Sequence, residues 1–206
     1  VATAAGLAAF TIGTDTGGSV RIPATLNGIF GHKTTVGMWP TDGVFPLSPT
    51  LDSIGPLCRT AADAAIVHSV MNEVEIPLPG RLKGLRLGRP TAHFYDNLDD
   101  QVAACMAAAE AALVDAGVEL VDVDLPGIEE RVWLFRSIVP AEMIASLGRD
   151  LFEAEQDRMD PVSAARAAVG LTVDAVTHVA AQRRLETLMW EAAEAFADLD
   201  GWISPT

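Results

Sequence analysis

Cysteine is nearly absent from this sequence: Cys58 and Cys105 are the only two among 206 residues. They stand far apart, with no Cys-x-x-Cys and no Cys/His ligand spacing, which excludes a zinc site and a thioredoxin-like motif; the expectation is two buried free thiols in a reducing compartment, with no disulfide and no metal. Positive charge is also scarce. Fourteen Lys and Arg face 28 Asp and Glu for a formal net charge of −14, and the basic residues are scattered rather than clustered, which excludes a phosphate-tracking nucleic-acid surface. Long apolar runs are missing too, since none reaches the ~18 residues of a membrane span. The apolar opening Val1 to Ile12 has no basic segment before it, so it does not read as a signal peptide, and a chain that does not begin with Met reads as an internal fragment. These absences lead to the expectation of a cytoplasmic protein that acts on a small molecule, without a cofactor, without membrane or nucleic-acid partners, and as a homo-oligomer if it associates at all.

What is present is apolar bulk. Half of the residues are hydrophobic, ample for one sizeable core. Ala4 to Ala9 reads as the end of a small-residue helix and Phe10 to Ile12 as a short strand. Pro23 suits the first turn of a helix that runs to about Asn27 and stops at Gly28. Gly37 to Pro56 holds three glycines and four prolines, so it reads as a long ordered loop, either the wall of a pocket or an apolar-tethered surface loop. Thr60-Ala-Ala-Asp63 has the capping-box form and opens a helix with Ala62, Ile66 and Val70 on one face. Pro77 to Gly84 is a connector. Leu85 to Gly88, Leu98 to Ala116 and Val121 to Leu125 then read as strand, helix and strand, the alternation of an α/β fold with a largely parallel or mixed sheet. Helices follow over Trp133 to Leu151, after Asp160-Pro161, and over Thr172 to Ala197. Trp202 begins a last inner strand.

The stretch Ile12-Gly-Thr-Asp-Thr-Gly-Gly-Ser-Val-Arg-Ile-Pro23 carries the chemistry. Gly17 and Gly18 allow positive φ and close approach of a ligand, with amide N–H groups beside the hydroxyl of Ser19. A hydroxyl to attack a carbonyl, and donors aimed where its oxygen becomes an anion, are what acyl transfer requires. A phosphate-binding loop would want Gly-Lys-Ser/Thr, and the glycine spacing is wrong for a dinucleotide fingerprint. An α/β-hydrolase elbow needs glycine two positions either side of the serine; Gly17 fits and Arg21 does not. Arg21 either pairs with a carboxylate such as Asp15 to hold the loop or binds an acidic group of the substrate. His32, His68, His93 and His178 each remain formal candidates for a base, none in a motif that marks it as one.

The stretch resembles the hallmark of the amidase signature family, and the likeness continues through Ile22-Pro23-Ala24, Asn27-Gly28, Gly31-His32-Lys33, Thr50-Leu51-Asp52-Ser53-Ile54-Gly55-Pro56 and Arg59-Thr60-Ala61-Ala62-Asp63-Ala64. His32, Thr34 and Thr50 depart from the usual residues, and none touches the serine. The specific match covers residues 1–66 of a chain read as a single incomplete domain over 1–206. The resemblance implies an α/β/α sandwich around a mixed sheet, truncated at both ends, and Ser-cis-Ser-Lys catalysis on a small carboxamide. Ser19 then corresponds to the nucleophile, and the backbone N–H groups of Thr16, Gly17, Gly18 and Ser19 to the oxyanion hole. The family's bridging serine and its lysine fall before Val1, and Lys33 does not match that lysine, so these 206 residues alone are expected to be inactive. A glutaminase subunit of an aminoacyl-tRNA amidotransferase, which docks a partner subunit, and a non-catalytic amidase-derived binding module are the alternatives.

Overall fold

The computed structural model describes residues 1–76, 78 and 80–206, so Pro77 and Pro79 of the expected connector lie outside the described residues. The chain forms two compact units, Val1–Leu78 with Phe135–His178, and Pro79–Leu134 with Val179–Thr206. Strands and helices alternate in an α/β architecture with both antiparallel and parallel pairing, as the sequence leads one to expect.

In the first unit, β1 (Phe10–Asp15) and β2 (Phe30–Gly31) flank β3 (Ser53–Cys58) in an antiparallel sheet of order β1-β3-β2. α1 (Arg21–Leu26) lies between β1 and β2 in the chain, and α2 (Ala61–Met71) follows β3. The register sets Asp15 opposite Ser53 and Gly13 opposite Gly55. The expected loop Gly37 to Pro56 therefore ends sooner than its composition suggests, because β3 includes Pro56. In an antiparallel strand a residue's N–H and C=O point the same way, and the Pro56 carbonyl accepts from His32 N at 3.0 Å. The donor Pro56 lacks would face that side, beyond the two residues of β2, so the ladder loses little.

Ala4 to Ala9 is a set of turns rather than a helix, with Gly6 at φ +74° breaking the repeat after Ala5 N bonds Val1 O at 2.9 Å. In α2 the Thr60 hydroxyl caps the Asp63 N–H at 3.1 Å, as the capping box requires. The buried face of that helix is Ala64 and Val67, packed with Trp39, Ile54 and Cys58, whereas Ile66 and Val70 are exposed. Cys105 is exposed as well, so the expectation of two buried thiols holds for Cys58 alone.

Three helices complete this unit: α4 (Arg131–Leu147), from Phe135 onward, α5 (Arg149–Glu155) and α6 (Pro161–Ala168). The single helix expected over Trp133 to Leu151 is broken at Gly148, which sits at φ +91°. Ile144, Phe152 and Ala167 form the core between them. Asp160 caps α6 through Ser163 N at 2.9 Å, with Pro161 at the first helical position.

In the second unit, β4 (Arg86–Pro90) pairs in parallel with β5 (Glu119–Val123) on one side and β6 (Gly201–Trp202) on the other. α3 (Asp100–Asp115) connects β4 to β5, and α7 (Ala175–Ala195) belongs to this unit from Val179. No helix is long and apolar enough to cross a membrane among the described residues.

The tightest test of the β1–β3–β2 arrangement is Gly55. A Cβ there would lie 1.9 Å from the backbone oxygen of His32, a contact that only a backbone shift relieves. Gly55→Ala is expected to destabilise the fold by about 2 kcal/mol or more. An unchanged urea midpoint would contradict this packing.

Candidate active site

The site begins where β1 ends. Ser53 Oγ donates to the Asp15 carbonyl at 3.0 Å, and past Asp15 the chain turns sharply. The Asp15 side chain is buried and folds this turn around itself. It accepts from the backbone N–H groups of Gly18 at 2.7 Å, Val20 at 3.2 Å and Arg21 at 3.4 Å. The Arg21 guanidinium closes the ring, with Nε 3.0 Å from Oδ2 and Nη2 2.9 Å from Oδ1. Val20, the residue before α1, contributes no side-chain cap, so Asp15 performs that role from the preceding strand. Both glycines sit in tight positions, and Gly18 also takes a positive φ that other residues rarely adopt. Gly18 sits at φ +124°, where a Cβ would meet Ile22 at 2.6 Å, and a Cβ on Gly17 would meet the Phe135 ring at 2.8 Å. Val20 is wholly buried beneath the turn and Ser19 is exposed upon it.

Burial pushes the Asp15 carboxyl up, but the Arg21 hydrogen bonds, the Gly18 and Val20 amides and the Arg21 charge outweigh it and hold the group below the ordinary carboxylate range. Asp15 is thus a fixed anion at neutral pH. The Arg21 guanidinium is half-exposed and paired with that anion. Lys33 Nζ donates to the Thr34 carbonyl at 2.6 Å; burial and then the Arg21 charge push its ammonium down, against the pull of Asp15.

Ser19, Thr16 and Gly17 line a cavity of about 600 Å³, within the size of small-molecule sites. Ile22, Leu47, Phe135, Val139, Pro140, Met143 and Val169 give it apolar walls, and Arg136, Ser163 and Arg166 add polar ones. The Leu47 wall belongs to the long loop, which two carboxylates fix. Asp52 accepts from the Thr16 hydroxyl, from Leu47 N at 2.9 Å and from Ser48 N at 3.0 Å. Glu142, on α4, accepts from the Ser48 hydroxyl at 2.5 Å, from Thr50 N at 3.1 Å and from the Thr50 hydroxyl. Through Leu47 the loop contributes to the cavity wall, while Phe45 of the same loop is exposed. Glu142 escapes a sequence reading; its one signal is a carboxylate amid Ile138, Val139, Met143 and Ile144.

Among the known protein families, the one described as Amidase matches residues 1–206. The chain belongs to the amidase family. It is 38% identical, over 98% of its length and 45% of the relative's, to 2-amino-5-chloromuconic acid deaminase of Comamonas testosteroni. It is 46% identical, over 50% of its length and 22% of the relative's, to indoleacetamide hydrolase of Allorhizobium ampelinum. A crystal structure of an amidase superposes with a TM-score of 0.88 at 27% identity, covering all of this chain and 48% of that one. The chain thus spans about half the length of the relatives it matches from end to end.

Within this amidase chain the other sequence candidates lie elsewhere. His32 Nε2 and His68 Nδ1 are 3.0 Å apart, with their rings edge to face, and His178 Nδ1 meets the Ser137 carbonyl at 3.1 Å. No histidine lines the cavity among the described residues. One expected donor is corrected by the geometry: the Gly18 N–H points to Asp15 and not to the cavity. The Gly17 and Ser19 amides have no acceptor among the described residues. α1, at six residues, is one and a half turns long, so its dipole is a minor contribution.

Because the Asp15 carboxyl lies below its ordinary value, its contribution is complete above about pH 4 and is lost as pH falls through the native value. Asp15→Asn is expected to lower stability by on the order of 2–3 kcal/mol at neutral pH, through loss of the charged acceptor for two buried amides. Denaturation across pH 7 to 2 should show that gap closing below about pH 4. A gap independent of pH would contradict the ionised pair.

Proposed function

We propose that the native gene product is an amidase that hydrolyses a carboxamide through an acyl-enzyme on Ser19. One observation carries the reading: the Ser19 hydroxyl stands exposed in the apolar-walled cavity on a turn locked by Asp15, with unengaged Gly17 and Ser19 amides beside it. The substrate carbonyl carbon takes a bond from Ser19 Oγ, and the carbonyl π pair moves to its oxygen. The Gly17 and Ser19 N–H groups, with Thr16 at the edge of the turn, are the oxyanion donors. Collapse of the adduct breaks the C–N bond, the nitrogen leaves protonated as ammonia or an amine, and water cleaves the ester to free the acid and Ser19.

The hydroxyl proton needs an acceptor. The titratable side chains lining the cavity are Arg136 and Arg166, and guanidinium does not deprotonate in proteins. By itself, then, the 206-residue chain holds an oxyanion site and a nucleophile without a base, and it turns over no amide at a useful rate. The Ser-cis-Ser-Lys relay that the family resemblance implies supplies that base in the native protein.

Ser19→Ala in the native gene product is expected to lower kcat by about 10⁴ to 10⁶ with little change in KM, because the hydroxyl acts in the transition state. Ammonia release from a panel of primary amides measures it, with the 206-residue chain alone as the parallel sample. Turnover by either sample that is unaffected by Ser19→Ala would overturn the assignment.

A further inference from the structure

Charge is distributed oddly around the cavity. Acids outnumber bases two to one in the sequence, and Arg21, Arg86, Arg89, Arg149, Arg158 and Arg184 all reach a carboxylate partner. Arg59, Arg81, Arg131, Arg136, Arg166 and Arg183 have no such partner among the described residues, and of these Arg136 on α4 and Arg166 on α6 line the cavity. Neither forms an ion pair among the described residues; the acid that senses Arg166 is Asp160, whose carboxylate is engaged in capping α6. Both guanidiniums line the cavity that holds Ser19, and no Asp or Glu lines it with them. Two exposed guanidiniums beside apolar walls, with no acid lining the cavity, give it a positive potential that favours an anion. The flat guanidinium fork matches the oxygens of a carboxylate. The apolar residues between, Val139, Met143 and Val169, suit a hydrocarbon spacer.

We infer that the substrate is a half-amide: a small acid that carries a carboxylate at the end remote from the scissile carboxamide, held by Arg136 and Arg166 while the carboxamide lies at Ser19. The inference rests on the amidase reading for its orientation, and it names the acyl group that reading leaves open. Holding a remote charge anchors the substrate without taking part in bond changes, so Arg136 and Arg166 are binding residues whose effect falls mainly on KM.

The test uses the native gene product and two matched probe series: succinamic, glutaramic and adipamic acids, and butanamide, pentanamide and hexanamide. Binding is measured by calorimetry on the Ser19→Ala protein, and hydrolysis on the wild type. At least one half-amide should bind about tenfold or more tighter than the neutral amide of equal length, the difference expected for one partly exposed charge-assisted contact. Arg136→Met and Arg166→Met should each bring that ratio toward one, and Arg136→Lys should retain part of it. Arg136→Glu should shift preference to the ω-amino amide of the same length, an outcome that a misfolded variant does not give. Equal binding of charged and neutral probes by the Ser19→Ala protein, or a preference that survives both methionine variants, would overturn the inference. A charge preference in binding with no hydrolysis by the wild type would uphold the anion site and count against the amidase reading alone.

Discussion

One buried carboxylate organises the site. Asp15 ends β1, and its two oxygens collect the Gly18, Val20 and Arg21 amides and the Arg21 guanidinium. A charge removed from water is tolerated only when paired and hydrogen-bonded, and here the partners that satisfy it are the residues of the turn itself. Meeting that requirement fixes the turn, puts Val20 inward and Ser19 outward, and starts α1. Gly18 follows from the same constraint, since the turn takes it to φ +124°, and a Cβ on Gly17 would press on the Phe135 ring.

The rest of unit one holds this turn in register. β3 pairs along all of β1, and the Ser53 hydroxyl fastens the Asp15 carbonyl. Asp52 then ties the Thr16 hydroxyl to the long loop, and Glu142 ties the loop to α4, which also brings Phe135 and Arg136 to the cavity. Three carboxylates, each accepting several bonds, thus connect strand, loop and helix around one opening. The unengaged Gly17 and Ser19 amides ride on a turn held in this way, and donors so pre-organised act on a developing charge without rearranging.

The parts of this arrangement that a sequence discloses are the local ones. Asp15, Gly18 and Arg21 lie within seven positions of one another, so the turn and its ion pair can be read from residue types, as can the Thr60 cap on Asp63. The strand–helix–strand of β4, α3 and β5 is legible from periodicity alone. Long-range contacts are not: Glu142 reaches Ser48 across 94 positions, and no spacing rule links a helical glutamate to a loop serine. Nor was the direction of the Gly18 amide legible, because residue types do not say which of several adjacent donors a nearby carboxylate takes. The Gly148 break and the exposure of Ile66 and Val70 were likewise hidden, since tolerance of a helical glycine and choice of helix face are set by packing partners far along the chain.

If the Asp15 turn is what presents Ser19 for attack, the reactivity of Ser19 must depend on that buried carboxylate. The direct measurement is the second-order rate of phosphonylation of the native gene product by a fluorophosphonate, with the modified residue located by peptide mass, in wild type and in Asp15→Asn under conditions where both are folded. The expected result is modification of Ser19 alone, slowed about a hundredfold or more by the substitution, the loss associated with misplacing a reacting group by an ångström. Equal rates in the two proteins, or modification of a different residue, would contradict it.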